Sequence, residues 1–226
     1  MILASHQPNF FPYLGFFYNM NKADIFVFSD DVKFAKKNFQ NYTNIKSTTG
    51  EMLRLTVPIK NKDVPYGEVE VADNFDLDYR RKILKTIEQN YGKTPHFNSI
   101  FPLVQGVFYQ HYSRLVDINF QSIKLLKALL GINTPCVWAD NLNHEGHKDE
   151  RILNLCKSAG ADVYLSGHGA KVYHKDENFT DVKLVYTDYK PFEYNQYKGD
   201  FIENLSALDY LFNCGVGLPK EWQNGK

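Results

Sequence analysis

The chain has 226 residues, 43% of them apolar, which suits one large domain with a sizeable core. Its 26 basic residues balance its 26 acidic ones, so no global charge argues for nucleic acid or an anionic membrane as partner. No apolar run reaches the roughly 18 residues of a membrane span, and the first apolar stretch is too short for a signal peptide. Three widely spaced cysteines, Cys136, Cys156 and Cys214, read as buried free thiols of a reducing compartment, so a cytoplasmic protein is expected.

Residues 2–5 have the length and composition of a buried strand. The strand runs into His6-Gln7-Pro8-Asn9-Phe10-Phe11-Pro12-Tyr13-Leu14-Gly15. Two prolines stiffen this loop by fixing φ and biasing the preceding residues away from helix. A rigid loop carrying His, Gln and Asn at the carboxyl end of a buried strand is where α/β proteins place ligand chemistry. A helix is expected after Pro12, with residues 6–8 facing its anion-favouring N-terminal end. Residues 24–30 form a second strand, closed by the adjacent carboxylates Asp30 and Asp31. If the strand runs through both, alternation lets only one face a crevice, so Asp30 is assigned to the ligand and Asp31 to orienting the loop. Residues 32–46 read as an irregular polar loop. Its lysines and amides, among them Lys36, Asn41 and Lys46, suit a phosphorylated ligand as well as they suit solvent. Residues 53–59 alternate with period 2 and read as a strand that ends near Pro58.

Three helices are expected next, over 76–92, 96–111 and 115–130, forming an insertion or covering layer at about 76–131. Arg80, Arg81, Lys82 and Lys85 make a basic stripe on the first, read as a solvated face. Residues 135–139 are a strand ending in Asp140-Asn141. His144-Glu145-Gly146-His147 lacks the spacing of a zincin helix and has no cysteine partner, so no metal is expected there. A helix over 148–159 stops at Gly160. The strand at 161–165 then enters Ser166-Gly167-His168-Gly169-Ala170. A glycine-rich turn leading into a helix brings backbone N–H groups towards a phosphate, and Lys171 would add a point charge. Residues 183–187 are a last core strand, 189–197 an extended loop containing Gln196, and 205–214 a final helix.

This order predicts an α/β fold over 1–226, with a mostly parallel Rossmann-like sheet flanked by helices and a helical middle segment. The ligand crevice of such a sheet lies beyond the carboxyl ends of its strands. There His6 to Asn9, Asp30-Asp31, Asp140-Asn141 and Ser166 to Ala170 converge.

The opening motif through Phe17, together with Phe28-Ser29-Asp30-Asp31-Val32-Lys33-Phe34 and Gln40-Asn41, resembles the WbqC-like family. The same holds for Tyr164-Leu165-Ser166-Gly167-His168-Gly169-Ala170-Lys171-Val172-Tyr173 and for Leu205 to Asn213. Where members of that family usually read Trp-Gln-Asn-Arg-Asn, this chain reads Phe39-Gln40-Asn41-Tyr42-Thr43-Asn44. An arginine is thus missing at Tyr42, with Lys46 the nearest substitute. The family's association with bacterial O-antigen and other surface-polysaccharide gene clusters implies a role in building or decorating a sugar. More loosely, the histidine turn is similar in layout to that of adenylate-forming enzymes such as pantothenate synthetases, although Asn9 stands where a second histidine would be expected.

Within a role in building or decorating a sugar, the first reading is an enzyme that attaches an aminoacyl or acyl group to the amine of a nucleotide-linked amino sugar. Nucleotidyl or glycosyl transfer in the same crevice, and non-catalytic sugar-nucleotide binding, are the alternatives. His6 and Asp30 are the expected catalytic residues; an imidazole is suited to taking a proton from an attacking ammonium at neutral pH. Gln7, Asn9, Asp31, Lys36, Asn41, Lys46, Asp140, Ser166, Gly167, His168, Gly169, Lys171 and Gln196 are the expected substrate contacts. The cofactor stays open, with ATP the candidate for an adenylating step.

Overall fold

The computed structural model describes residues 1–35 and 39–225, which divide into two compact units. The first comprises residues 1–7, 15–31 and 133–190; the second comprises the described residues of 8–14, 32–132 and 191–225. The helical segment at 76–131 therefore lies wholly within the second unit.

The first unit is built on five strands: β1 (Ile2–His6), β2 (Ile25–Phe28), β5 (Cys136–Trp138), β6 (Val163–Ser166) and β7 (Lys183–Tyr186). They lie in the order β5-β2-β1-β6-β7 and every pairing is parallel. From β1 the chain winds outward to β2 and β5 on one side, then returns to add β6 and β7 on the other. The sheet reverses direction between β1 and β6, and that reversal is where α/β sheets open a crevice.

Alternation along the strands sorts the core. Leu3, Val27 and Tyr164 point to one face, where Leu155 and Cys156 of helix α5 (Asp149–Ala159) pack against them. Phe26 points to the other and meets Phe16 of helix α1 (Leu14–Lys22) at 5.4 Å between ring centroids. The same alternation carries Ser5, Ser29 and Ser166 to the α5 face of the carboxyl edge, and His6 to the α1 face. α5 stops where Gly160 takes a left-handed φ of 71°.

The second unit pairs helices α2 (Leu77–Tyr91), α3 (Phe97–Phe108), α4 (Leu115–Leu129) and α6 (Ala207–Cys214) with an antiparallel hairpin of β3 (Tyr42–Lys46) and β4 (Met52–Thr56). Asp76 caps α2 by accepting from the Tyr79 N–H at 2.8 Å. Phe10 and Phe11 of the opening motif are buried here, Phe11 stacking on Phe108 at 5.7 Å. The Phe11 backbone is left-handed, with φ 42°. Three hydrogen bonds hold it there: its N–H donates to Ser122 Oγ, and its carbonyl accepts from Thr43 Oγ1 and Ser206 Oγ.

Several local expectations are corrected. The end of the irregular stretch 32–46 is a fully buried strand, β3, because Tyr42, Thr43 and Ile45 suit a sheet and its polar groups find internal partners. β4 ends at Thr56, before Pro58. β2 ends at Phe28, so Asp30 and Asp31 lie beyond the strand and its alternation does not divide them. After Ser166 the chain forms a short 3-10 turn, His168–Ala170, in place of a full helix. Arg80 leaves the solvated stripe: it is buried, and its guanidinium donates to the carbonyls of Phe108 and Gln110. The cysteines are free, but Cys136 is half-buried and Cys214 exposed. No helix of the described residues is long and apolar enough to cross a membrane.

Candidate functional site

The carboxyl edge of the parallel sheet gathers the polar side chains of the first unit. At the end of β1, His6 is an exposed residue whose ring also packs against Phe16 in a T-shaped pair at 5.2 Å between centroids. His6 Nδ1 lies 2.7 Å from the Gln7 carbonyl oxygen, which only accepts. That contact puts the proton on Nδ1 and leaves the lone pair on Nε2. Surrounding protein desolvates the imidazole and lowers its pKa from 6.5, against a smaller upward pull from the Gln7 carbonyl. Such a group is neutral and basic at physiological pH.

Beside it, Ser5 Oγ and the Tyr164 hydroxyl share a hydrogen bond at 2.9 Å. Beyond β2, Asp31 accepts from Arg151 Nη2 at 2.7 Å. The same guanidinium reaches Ser29 Oγ at 3.4 Å and the His144 carbonyl at 2.8 Å. His144 Nε2 lies 3.8 Å from Asp31 and 3.5 Å from Asp140. α5 thus sends Arg151 across to fix the loops that follow β2 and β5.

At the end of β6, Ser166 Oγ lies 3.1 Å from His174 Nε2, and His174 Nδ1 lies 2.7 Å from Asp149 Oδ1. Asp149 Oδ2 accepts from the Lys175 N–H at 3.1 Å and from Asn178 Nδ2 at 2.8 Å. Burial alone would raise the Asp149 pKa, but the hydrogen bonds from His174, Asn178 and Lys175 outweigh it and hold the carboxyl below the ordinary range. Tyr164, Phe179 and Tyr186 surround the imidazole. A surface groove of about 650 Å³ passes the Asp149 end of this array, lined by Tyr173, Lys175, Asn178 and the start of α5.

Of the residues expected from sequence, the first unit holds His6, Gln7, Asp30, Asp31, Asp140, Ser166, Gly167, His168, Gly169 and Lys171. Gly167 and Gly169 face open space, with nothing within 4 Å of where a Cβ would stand. Lys171 lies over the Tyr186 ring at 5.7 Å. The second unit holds Asn9, Asn41, Lys46 and Gln196. Asn9 is buried, and its Oδ1 has no hydrogen-bond partner among the described residues. Asn41 Nδ2 donates to the Val57 carbonyl. Lys46 is 1% exposed, and its ammonium donates to Gln196 Oε1, Gly199 O and Asp200 O. Lys36 lies outside the described residues.

Sequence reasoning passed over Ser5, Ser29, Asp149, Arg151, Tyr164 and His174. Asp149 reads as an ordinary first-turn acid of a helix, and His174 sits in a polar loop without motif spacing. One signal was available. Ser166 ends a strand, and a strand-end serine in a parallel sheet invites a search for a base in the loop that follows.

The parallel sheet, its reversal at β1 and β6, and the polar edge there define a Rossmann-like α/β protein. Residues 7–220 match the WbqC-like protein family, and the chain belongs to that family. It is also 27% identical over 221 residues to the uncharacterized protein Rv1507c of Mycobacterium tuberculosis (strain ATCC 25618 / H37Rv), covering 96% of this chain and 95% of that one. No solved structure matches the chain.

Proposed function

We propose that the protein is an enzyme of bacterial surface-polysaccharide biosynthesis that joins an acyl or aminoacyl group to the amine of a nucleotide-linked amino sugar. The observation that carries this reading is His6: an exposed histidine whose Nδ1 is held by the Gln7 carbonyl, so that Nε2 carries the lone pair, placed at the carboxyl end of β1 beside the reversal of the sheet. Amide formation needs a base for the ammonium of the sugar, and a histidine with a lowered pKa meets that need at neutral pH. The amine nitrogen attacks the acyl carbon, His6 Nε2 takes the proton, and the activating group leaves. The open space before Gly167 and Gly169 gives the diphosphate an approach to the backbone. Asp30 and Asp31, the latter fixed by Arg151, supply acceptors for sugar hydroxyls or the ammonium.

Thermal shift against a dTDP-linked amino sugar, the matching sugar without its amine, and ATP tests the reading. Stabilisation by the amino sugar nucleotide above its deaminated counterpart is expected. Equal responses to the two sugars, or no response to either, would overturn the substrate class. A shift with ATP would identify adenylation as the activating step.

A further inference from the structure

We infer that Ser166, His174 and Asp149 form a nucleophilic relay and that Ser166 carries the acyl group as an ester between donor and acceptor. The inference deepens the acyl-transfer reading above and rests on it for the identity of the acceptor. Its own support is geometric. A serine nucleophile needs a base within hydrogen-bond reach and a third group that holds the base in the correct tautomer. Ser166 Oγ to His174 Nε2 at 3.1 Å and His174 Nδ1 to Asp149 Oδ1 at 2.7 Å supply both. Asp149 is in turn held by the Lys175 N–H and Asn178, so it stays in place to accept from Nδ1–H and leaves Nε2 free to take the serine proton.

The position in the fold agrees. Ser166 ends β6 at the carboxyl edge of the sheet, on the strand that pairs with β1. Continuing the register of that pair places Ser5 beside Ser166 and His6 beside Gly167, so Ser166 and His6 end neighbouring strands at the same edge, on opposite faces of the sheet. Ser166 is itself buried. An acyl donor would approach over Gly167 and Gly169, where, their chain neighbours aside, no atom of the described residues stands within 4 Å of a Cβ position.

A donor of the acyl thioester class balances the step. Ser166 Oγ forms the new C–O bond while its proton passes to His174 Nε2. The C–S bond breaks, and the thiolate departs with that proton. The sugar amine, its ammonium proton taken by His6 and released to solvent, then attacks the ester carbon. His174 Nε2 takes the second N–H proton and returns it to the Ser166 alkoxide as the C–O bond breaks and the amide forms. No oxidant or reductant is needed. Asp149 is a positioning residue here, since it acts only through His174.

The test is covalent labelling of the intact wild-type protein by a small alkyl fluorophosphonate, with the modified residue located by peptide mass spectrometry. Labelling of Ser166 is expected, slowed about 10²-fold or more in His174→Ala. In Asp149→Asn an amide faces Nδ1 and forces the proton to Nε2, so labelling is expected to slow comparably and lose its rise with pH. A purely structural role for Asp149 would leave that profile unchanged. An unmodified Ser166 in the folded wild type, or a rate indifferent to His174→Ala, would overturn the inference. A protein that labels at Ser166 but ignores amino sugar nucleotides would keep the nucleophile and lose the substrate reading. One that binds them with Ser166 inert would do the reverse.

Discussion

In the second unit, Lys46, Asp209, Tyr91 and Tyr194 make a polar cluster from the same residue types that serve catalysis elsewhere. The Asp209 carboxylate accepts from Tyr91 at 2.7 Å and Tyr194 at 2.8 Å, while the Lys46 ammonium is taken up by three oxygens. Burial lowers the Lys46 pKa and raises that of Asp209, against the pull of their neighbours. At the carboxyl edge of the parallel sheet the pattern differs: His6 keeps a lone pair on Nε2, and Ser166 has an imidazole beside it. The contrast shows why the proposed chemistry is placed at the sheet edge and not on the cluster whose ionisation is perturbed by burial. What separates the two clusters is whether a lone pair or a nucleophile is left over once the internal hydrogen bonds are made.

Three substitutions sharpen that contrast. The largest effect is expected at His6. His6→Ala should lower transfer activity by about 10²- to 10⁴-fold, with the midpoint of urea unfolding nearly unchanged because the residue is exposed. Since the proposed working form is neutral and the His6 pKa is lowered, wild-type activity should persist on acidification to below the ordinary histidine value of 6.5. A retained rate in the folded variant would remove His6 from the chemistry. Asp209→Ala should behave in the opposite way. It strips two buried tyrosine hydroxyls of their acceptor and removes the carboxylate beside Lys46, at about 3 kcal/mol of stability by urea titration. A cost under about 1 kcal/mol would mean that the cluster is not the saturated scaffold described above. The smallest effect is expected at Gly167, whose φ of −70° any residue adopts and whose Cβ position is open. Gly167→Val should leave stability within about 0.5 kcal/mol of wild type. It should weaken sugar-nucleotide binding by about tenfold, read by calorimetry, as the side chain fills the approach.

The same contrast explains what was legible in the sequence. Strands such as Ile2–His6 and Val163–Ser166 and helices such as Asp149–Ala159 announce themselves by composition and by stops such as Gly160, so the parallel sheet and its carboxyl edge follow from pattern. Pattern cannot say where a polar side chain spends its hydrogen bonds. Lys46 and Gln196 look like ligand contacts until β3 is seen to bury one against the other. Asp149, Ser166 and His174 are spread over 26 residues and meet only because the loop after β6 folds back over the start of α5. The opening motif shows both limits at once. His6 and Gln7 belong to the sheet edge, while Asn9, Phe10 and Phe11 are packed into the second unit, Phe11 in a left-handed conformation that no composition rule anticipates.

The central claim is that ligand binds at the carboxyl edge of the parallel sheet. A backbone-amide NMR titration with a dTDP-linked amino sugar tests it most directly. The account predicts that the largest shift changes fall at residues 5–7, 29–31, 139–141 and 166–171, with Lys46, Gln196 and Asp209 silent. Changes concentrated at residues 41–46 and 196–200, with His6 and Ser166 unmoved, would contradict it.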